Sequence, residues 1–265
     1  MDGFDTTIPN VARIYDYLLG GKDNFAADRA AARQLMDAIP DIAGLVRDNR
    51  SFIARAVRYM AGEAGIQQFL DLGAGLPAKD SVHEMARRAA PDARVVYVDN
   101  DPVVCTHGQA LLGVGEGVAI VLGDLREPGE ILRHPDLLRV LDLSQPVGVL
   151  CAAALHFVSD EEKPHEIIAE YRDHLAPGSC LAITHGTLGE TEDEDPDHRT
   201  ASATNVYRRA SAQLHVRPLA EIQRFFDGFE LIPPGVVWMT EWRPDPGVAS
   251  AGPPHSLRGG VGRKP

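Results

Sequence analysis

The chain is short of cysteine, of basic charge and of long apolar runs. Its three cysteines, Cys105, Cys151 and Cys180, are unpaired in spacing and set in apolar surroundings. That suits reduced core thiols rather than a disulfide frame or a zinc site. Ten histidines are scattered, with no pair at metal-ligand spacing beside an acid, so no metal is expected. Lys and Arg number 26 against 38 Asp and Glu, a formal net charge of -12. A general nucleic-acid binder needs a basic face to displace phosphate counterions, so no nucleic-acid partner is expected. Arg47, Arg50, Arg55 and Arg58 read instead as helix-spaced arginines on a solvated face. No run approaches the roughly 20 apolar residues that cross a bilayer. Met1 to Asn10 is polar and acidic, without a signal pattern. A cytoplasmic location with no membrane partner is the expectation. There is no internal repeat and no nucleophile-elbow Ser or Cys motif. What is present is 265 residues, 44% of them hydrophobic, enough for one large domain or for a domain with an appended lobe.

The pattern changes twice along the chain. Pro9–Gly21, Ala27–Ala38 and Asp41–Ala61 read as helices. The last repeats Ile42, Leu45, Val46, Phe52, Ile53, Ala56, Val57 and Met60 at helical spacing. Residues 1–62 are therefore predicted to be a helical cap. Strands then alternate with helices: strands at 68–72, 94–99, 118–122, 147–152 and 180–185, helices at 78–90, 102–112, 128–139 and 161–175. This alternation predicts an α/β domain over 63–243, a mostly parallel sheet with helices on both faces. The acidic stretch 186–198 is expected to be a mobile loop. Helices are expected at 200–214 and 218–226. Phe229–Ile232 and Val236–Thr240 flank Pro233-Pro234-Gly235 as a hairpin-like pair. Residues 244–265, rich in Pro, Gly and Ser, are predicted to be a disordered tail.

Three of the predicted strands end in a carboxylate. Gln68-Phe69-Leu70-Asp71-Leu72 runs straight into Gly73-Ala74-Gly75. A Gly-rich turn between strand and helix lets a ligand lie against backbone N–H groups at the positive helix end. Gly73 and Gly75 allow close approach because they lack a Cβ. The dinucleotide fingerprint asks for a third glycine, where this chain has Pro77 and Ala78. Acid-x-Gly-x-Gly instead resembles motif I of class I S-adenosylmethionine-dependent methyltransferases. Asp99, at the second strand tip, can accept hydrogen bonds from both ribose hydroxyls, with Asn100 beside it. Asp101 is the better cap for the helix that starts at Pro102. Gly123-Asp124-Leu125 resembles the methyltransferase motif in which the carboxylate receives the adenine amino group and the next N–H meets the ring. Small residues at the fourth strand tip, Ala152 among them, make room for a ligand. His156 is a candidate general base, or else a satisfied core histidine or helix cap.

The segment Arg13-Ile14-Tyr15-Asp16-Tyr17-Leu18-Leu19-Gly20-Gly21-Lys22-Asp23-Asn24-Phe25 has more specificity than a helix end requires. Taken with Asn49-Arg50, Phe69 to Pro77 and Ala154-Leu155-His156-Phe157, it closely resembles the actinomycete S-adenosylmethionine methyltransferase family long catalogued as a domain of unknown function. The likeness runs from about Pro9 to Trp242. It implies a Rossmann-like class I methyltransferase fold, S-adenosylmethionine as cofactor, and a helical cap above it. By that likeness Tyr17, Gly21, Lys22 and Asn24 sit near the methionine end or the acceptor pocket. Lys22 or Arg50 would pair with the cofactor carboxylate. Tyr15, Asn24, Arg50 and Phe157 are the candidate acceptor-pocket residues. Tyr17 is expected to face inward, since Arg13 shares its helix face. Leu72-Gly73-Ala74 departs from a more usual Ile-Gly-Thr.

The expected function is methyl transfer to an O or N atom of a small-molecule acceptor. No Asn-Pro-Pro-Tyr or Asp-Pro-Pro-Tyr grips a planar amine, which argues against base or protein-amide methylation. The alternatives are a non-enzymatic S-adenosylmethionine-binding regulatory protein and a nicotinamide oxidoreductase, which the glycine pattern disfavours.

Overall fold

A computed structural model describes residues 5–112, 115, 117–187, 196–247 and 257–265. Three helices come first. Helix α1 (Val11–Leu18) starts at Asn10, whose side chain accepts from the N–H groups of Ala12 and Arg13. Helix α2 (Ala26–Ala38) follows, and then the long α3 (Ile42–Gly62). The first half of α3 packs into the helical lobe through Val46, while Phe52, Ala56 and Met60 lie on the sheet.

The alternating part then runs β1 (Gln68–Leu72), α4 (Val82–Arg87), β2 (Arg94–Asp99), α5 (Pro102–Leu111) and β3 (Val118–Leu122). It continues with α6 (Pro128–Leu132), α7 (Pro135–Val140), β4 (Gly148–Ala152), α8 (Pro164–His174) and β5 (Cys180–Gly186). The expected helix over 78–90 starts only at Val82, where Ser81 and Glu84 form a capping box. The one expected over 128–139 is split at His134-Pro135, because proline cannot donate to the preceding turn.

Strands β1 to β5 are parallel. Strand β1 pairs with β2 on one side and β4 on the other. The chain thus reverses its direction of winding at β1, and ligands of open α/β sheets bind at such a switch point, beyond the carboxyl ends of the strands. One apolar cluster fills the face covered by α6, α7 and α8, and another the face covered by α3 and α4.

The far edge departs from expectation. After α9 (Pro196–Tyr207) and α10 (Leu219–Arg224) come β6 (Glu230–Leu231), β7 (Val237–Trp238) and β8 (Leu257–Arg263). Residues 257–263 are therefore not a disordered tail. Strand β8 lies antiparallel to β5 along seven residue pairs, with β6 and β7 on its other side. Nor do β6 and β7 form a hairpin with each other; both line up along the same edge of β8. Bulk for this region comes from its neighbours. A Cβ on Gly259 would meet Phe52 at 2.9 Å, and one on Gly262 would meet Phe229 at 2.8 Å. The glycines that look like disorder in the sequence are the condition for the strand to fit.

Helix α9 begins and ends earlier than the expected 200–214. The chain after it is drawn to other partners: Ser211 N–H donates to Pro9 O at 2.8 Å and His215 N–H to His156 O at 2.7 Å. Ala203 and Val206 of α9 join Ile14, Ala32 and Leu35 in the core of the helical lobe, so that lobe is not built from the first 62 residues alone. The acidic residues 188–195 lie outside the described residues. No described helix is long and apolar enough to cross a membrane.

Candidate active site

A cavity of about 1220 Å³ opens at the carboxyl ends of β1, β2, β3 and β4, beneath the helical lobe. Asp71, Asp99 and Asp124, one from each of three adjacent strand ends, all line it. So do Gly73, Ala74 and Gly75, along with Asn100, Leu125 and Ala152.

The turn after β1 is shaped by its glycines. Gly73 has φ +73° and Gly75 φ +66°. A Cβ on Gly73 would approach the Cβ of Ala154 to 2.8 Å, whereas one on Gly75 would meet nothing within 4 Å. The backbone at Gly75 is thus open to the cavity. Its N–H donates to Asp99 Oδ2 at 2.9 Å, and Asp101 N–H donates to Asp99 Oδ1 at 2.9 Å. Each Asp99 oxygen keeps a further lone pair for a ligand hydroxyl. Burial raises the Asp99 carboxyl, against these two backbone bonds. Asp101 caps α5 through Val103 N–H, as expected.

Asp71 is different. It is 9% exposed, and among the described residues its carboxylate accepts no hydrogen bond. Burial pushes it up to about 7, with Arg50 opposing and Asp99 reinforcing the shift. Asp124 is held by the Arg126 guanidinium, with Nε at 2.8 Å, and by the Arg126 N–H at 3.0 Å. Burial raises Asp124, but these bonds outweigh it and hold the carboxyl below its usual value. Arg126 also pairs with Glu162, and Asn100 Nδ2 lies 3.4 Å from Asp124.

A buried polar chain ties the lobe to the sheet. Tyr15 Oη donates to Val46 O at 3.0 Å and accepts from Asn49 Nδ2 at 3.0 Å. Thr184 Oγ1 donates to Asn49 Oδ1 at 2.7 Å and accepts from Ala153 N–H at 2.9 Å. Ala153 has φ +54°, a strained conformation at the mouth of the cavity that this bond helps to hold. Asn49 sits amid an apolar helical run, which was the available signal for it; Thr184 and Ala153 gave none.

A second tie is ionic. Arg13, 3% exposed, pairs with Asp28 at 2.9 Å and Asp101 at 3.0 Å. It thereby joins α1 and α2 to the turn that follows Asp99 at the end of β2. Arg13→Ala would leave two buried carboxylates uncompensated and is expected to cost about 3 kcal/mol of stability. Chemical denaturation measures this; a change within 0.5 kcal/mol, the range of ordinary surface substitutions, would show that the pair holds nothing together.

The remaining candidates divide. Tyr15, Arg50, Phe157 and His156 line the cavity, while Tyr17, Lys22 and Asn24 do not. Tyr15 is the inward tyrosine because Val46 and Asn49 satisfy its hydroxyl; the Tyr17 ring instead faces Arg33, 6.0 Å away. Lys22 is exposed. Asn24 uses its amide on Asp16 at 2.7 Å and Gly21 O at 3.1 Å. A Cβ on Gly21 would fall 1.9 Å from the Asp16 carboxylate. The Tyr-Asp-Tyr-Leu-Leu-Gly-Gly-Lys-Asp-Asn-Phe segment is thus largely a turn built around Asp16. Arg50 donates to Asp80 O at 2.6 Å.

His156 is not disposed as a base. Its Nδ1 accepts from Gly186 N–H at 3.2 Å, so the neutral ring carries its proton on Nε2. Burial, then His185 and Arg217, push it well below its usual value. It is a neutral hydrogen-bond donor. Arg217 is itself engaged by Asp160, Val158 O and His185.

A sheet ordered β3-β2-β1-β4-β5, an antiparallel strand beyond β5, and carboxylates at successive strand ends around one cavity define a class I methyltransferase fold. The chain belongs to the S-adenosyl methyltransferase family, whose family model matches residues 1–265. It is similar to a solved structure from Thermobifida fusca YX described as a candidate methyltransferase, with 42% identity, 98% of this chain and 96% of that one covered, and a TM-score of 0.90. It is equally similar to a DUF574 family protein from Streptomyces avermitilis MA-4680, at 38% identity over 98% of this chain and 99% of that one, TM-score 0.90. The N-methyltransferase NodS from Bradyrhizobium japonicum WM9, solved with S-adenosyl-L-homocysteine, shares the fold at 11% identity, covering 89% and 97%, TM-score 0.52. No curated protein matches the chain. The protein is a methyltransferase, and S-adenosylmethionine is its cofactor. The site suits that molecule: acceptor oxygens face a cavity with backbone open at Gly75, and a ligand with hydroxyls, an amine and a positive charge supplies what they lack.

Proposed function

We propose that this enzyme methylates an oxygen or nitrogen atom of a small molecule, and that Asp71, Asp99 and Asp124 hold the cofactor. The observation that carries the reading is the convergence of three strand-end carboxylates on a single cavity, one of them accepting no hydrogen bond among the described residues. When bound, S-adenosylmethionine supplies a methyl group activated by its sulfonium. The protein's part is then alignment and exclusion of water. Asp99 accepts from the ribose hydroxyls, and Asp124 accepts from the adenine amino group beside the Leu125 N–H. Asp71 receives the methionine ammonium, and Arg50 its carboxylate. His156 orients the acceptor by donating from Nε2 rather than by taking its proton. A nucleic-acid acceptor is disfavoured by the fate of three of the four arginines of α3; the fourth, Arg47, is exposed. Arg55 is buried on Trp242 O and Met239 O, Arg58 pairs with Asp245, and Arg50 faces the cavity.

Titration calorimetry with S-adenosylmethionine and with NAD tests the reading: only the former should bind, and preference for NAD would defeat it. Asp99→Ala is expected to weaken S-adenosylmethionine by about 1–3 kcal/mol, the worth of hydrogen bonds to a charged group. Unchanged affinity would remove Asp99 from the site.

A further inference from the structure

The cavity is larger and more divided than the cofactor needs. A single drug-sized ligand typically occupies roughly 300–1,000 Å³, and this cavity holds about 1220 Å³. Its sheet-side half carries the carboxylates. Its lobe-side half is lined by Leu18, Leu35, Ile39, Ile42, Leu45 and Val46. Ile42 and Leu45 of α3 are half-buried and pack against the buried Leu18, Leu35 and Val46, so the wall that α1, α2 and α3 present to the cavity is apolar. Phe157 and Tyr207, edge to face at 5.2 Å, add two aromatic rings to the lining.

Charge sharpens the selection. Two of the three guanidinium groups on the lining are ion-paired, Arg13 with Asp28 and Asp101 and Arg126 with Asp124 and Glu162. The third, Arg50, donates to Asp80 O and acts on Asp71 at the sheet-side end, where the cofactor reading gives it the methionine carboxylate. Glu161 and Glu162 add further negative charge at the rim. An anionic molecule entering the lobe-side half would lose its hydration to an apolar wall and face carboxylates across the cavity. With Arg50 taken by the cofactor carboxylate, no guanidinium without an ionic partner is left among the described residues of the lining to meet it.

We infer that the lobe-side half is the acceptor site and that its acceptor is an uncharged, largely apolar small molecule, bound beside the cofactor rather than in its place. This rests on the cofactor reading above. The adenosine half takes the hydrogen-bonding ligand; the α1–α3 wall takes the apolar one.

Two fluorescent probes that share one ring system test this. N-phenyl-1-naphthylamine is uncharged; 8-anilinonaphthalene-1-sulfonate adds a sulfonate. The neutral probe is expected to bind saturably with S-adenosylhomocysteine already present, without being displaced by it, and at least tenfold more tightly than the sulfonate. Ile42→Glu should weaken the neutral probe at least fivefold while S-adenosylhomocysteine affinity stays within twofold. Ile42 is half-buried and opens α3, where an acid favours the helix. Leu45→Gln is the second variant, uncharged and expected to act in the same direction should Ile42→Glu fail to fold. Displacement by S-adenosylhomocysteine, equal binding of the two probes, or indifference to the folded variants would each overturn the inference. Binding of S-adenosylhomocysteine without binding of the neutral probe overturns it alone. If the unaltered protein does not bind S-adenosylhomocysteine, the cofactor reading falls and this one falls with it.

Discussion

Removing residues 257–265 is expected to abolish folding. The segment looks expendable by composition, yet β8 pairs with β5 from Cys180↔Arg263 to Gly186↔Leu257 and with β6 and β7 on its other side. Without it, β5 becomes a sheet edge and two short strands lose their only partner among the described residues. Leu257 and Val261 are buried, and truncating such side chains costs about 1–5 kcal/mol each. The ladder hydrogen bonds add about 1 kcal/mol apiece. Lys264 contributes more, for its Nζ donates to Arg172 O at 2.8 Å and Leu175 O at 2.7 Å, closing the last turn of α8. These losses exceed the roughly 5–15 kcal/mol that stabilises a domain. Circular dichroism of the truncated chain should show no cooperative thermal transition. Gly262→Val offers a graded version: its side chain would press on Phe226 and Phe229, and overpacking of this kind costs about 1–3 kcal/mol. A truncated protein that melts cooperatively near the full-length temperature would mean that β8 is an ornament.

The same strand marks where the sequence stops being legible. Strands β1, β2 and β3 could be placed because each is an uninterrupted apolar run ending in an acid, the pattern of a strand buried on both faces. Strand β8 is buried just as fully, but Phe52, Phe226, Phe229 and Met239 supply the bulk from elsewhere, so its own residues are small. Its pattern is complementary to distant aromatics, and distance along the chain hides such complementarity. The site divides on similar lines. Asp71, Asp99 and Asp124 could be placed on a common rim because strand ends in a parallel sheet share one edge. Tyr17, Lys22 and Asn24 could not, because a distinctive segment does not say whether its side chains serve a ligand or their own turn. Asp16 decides that here, by drawing Asn24 and the Asp23 N–H into the turn. The inward orientation of Tyr15 over Tyr17 likewise depends on Asn49 and Val46, which only the packing of α1 against α3 brings into reach.

Asp71→Asn is expected to stabilise the cofactor-free protein at pH 8 and to weaken S-adenosylmethionine at least tenfold. The two effects have one origin. A buried carboxylate with no hydrogen-bond donor among the described residues, opposed only by the nearby Arg50 charge, is poorly compensated, and an amide of the same shape removes that charge at lower cost. The sign with pH follows from linkage. Burial raises the folded carboxyl from 3.8 to about 7, so the folded protein keeps a proton that the unfolded chain has released. That contribution to stability is complete below pH 3.8 and is lost as pH rises through 7, by about 4 kcal/mol in all. The Asn variant lacks this slope, so its advantage should appear between pH 4 and 7 and level off above. Cofactor binding runs the other way. If Asp71 receives the methionine ammonium, the bound state needs the ionised carboxylate, and affinity should fall by up to tenfold per unit as pH drops below 7. Calorimetry in buffers of different ionisation enthalpy should register a proton released on binding near pH 6. The position is thus strained without its ligand and relaxed with it, the pattern expected where a site gives up stability for affinity. An Asn variant less stable at pH 8, with S-adenosylmethionine bound as tightly as before, would instead make Asp71 a structural acid of β1.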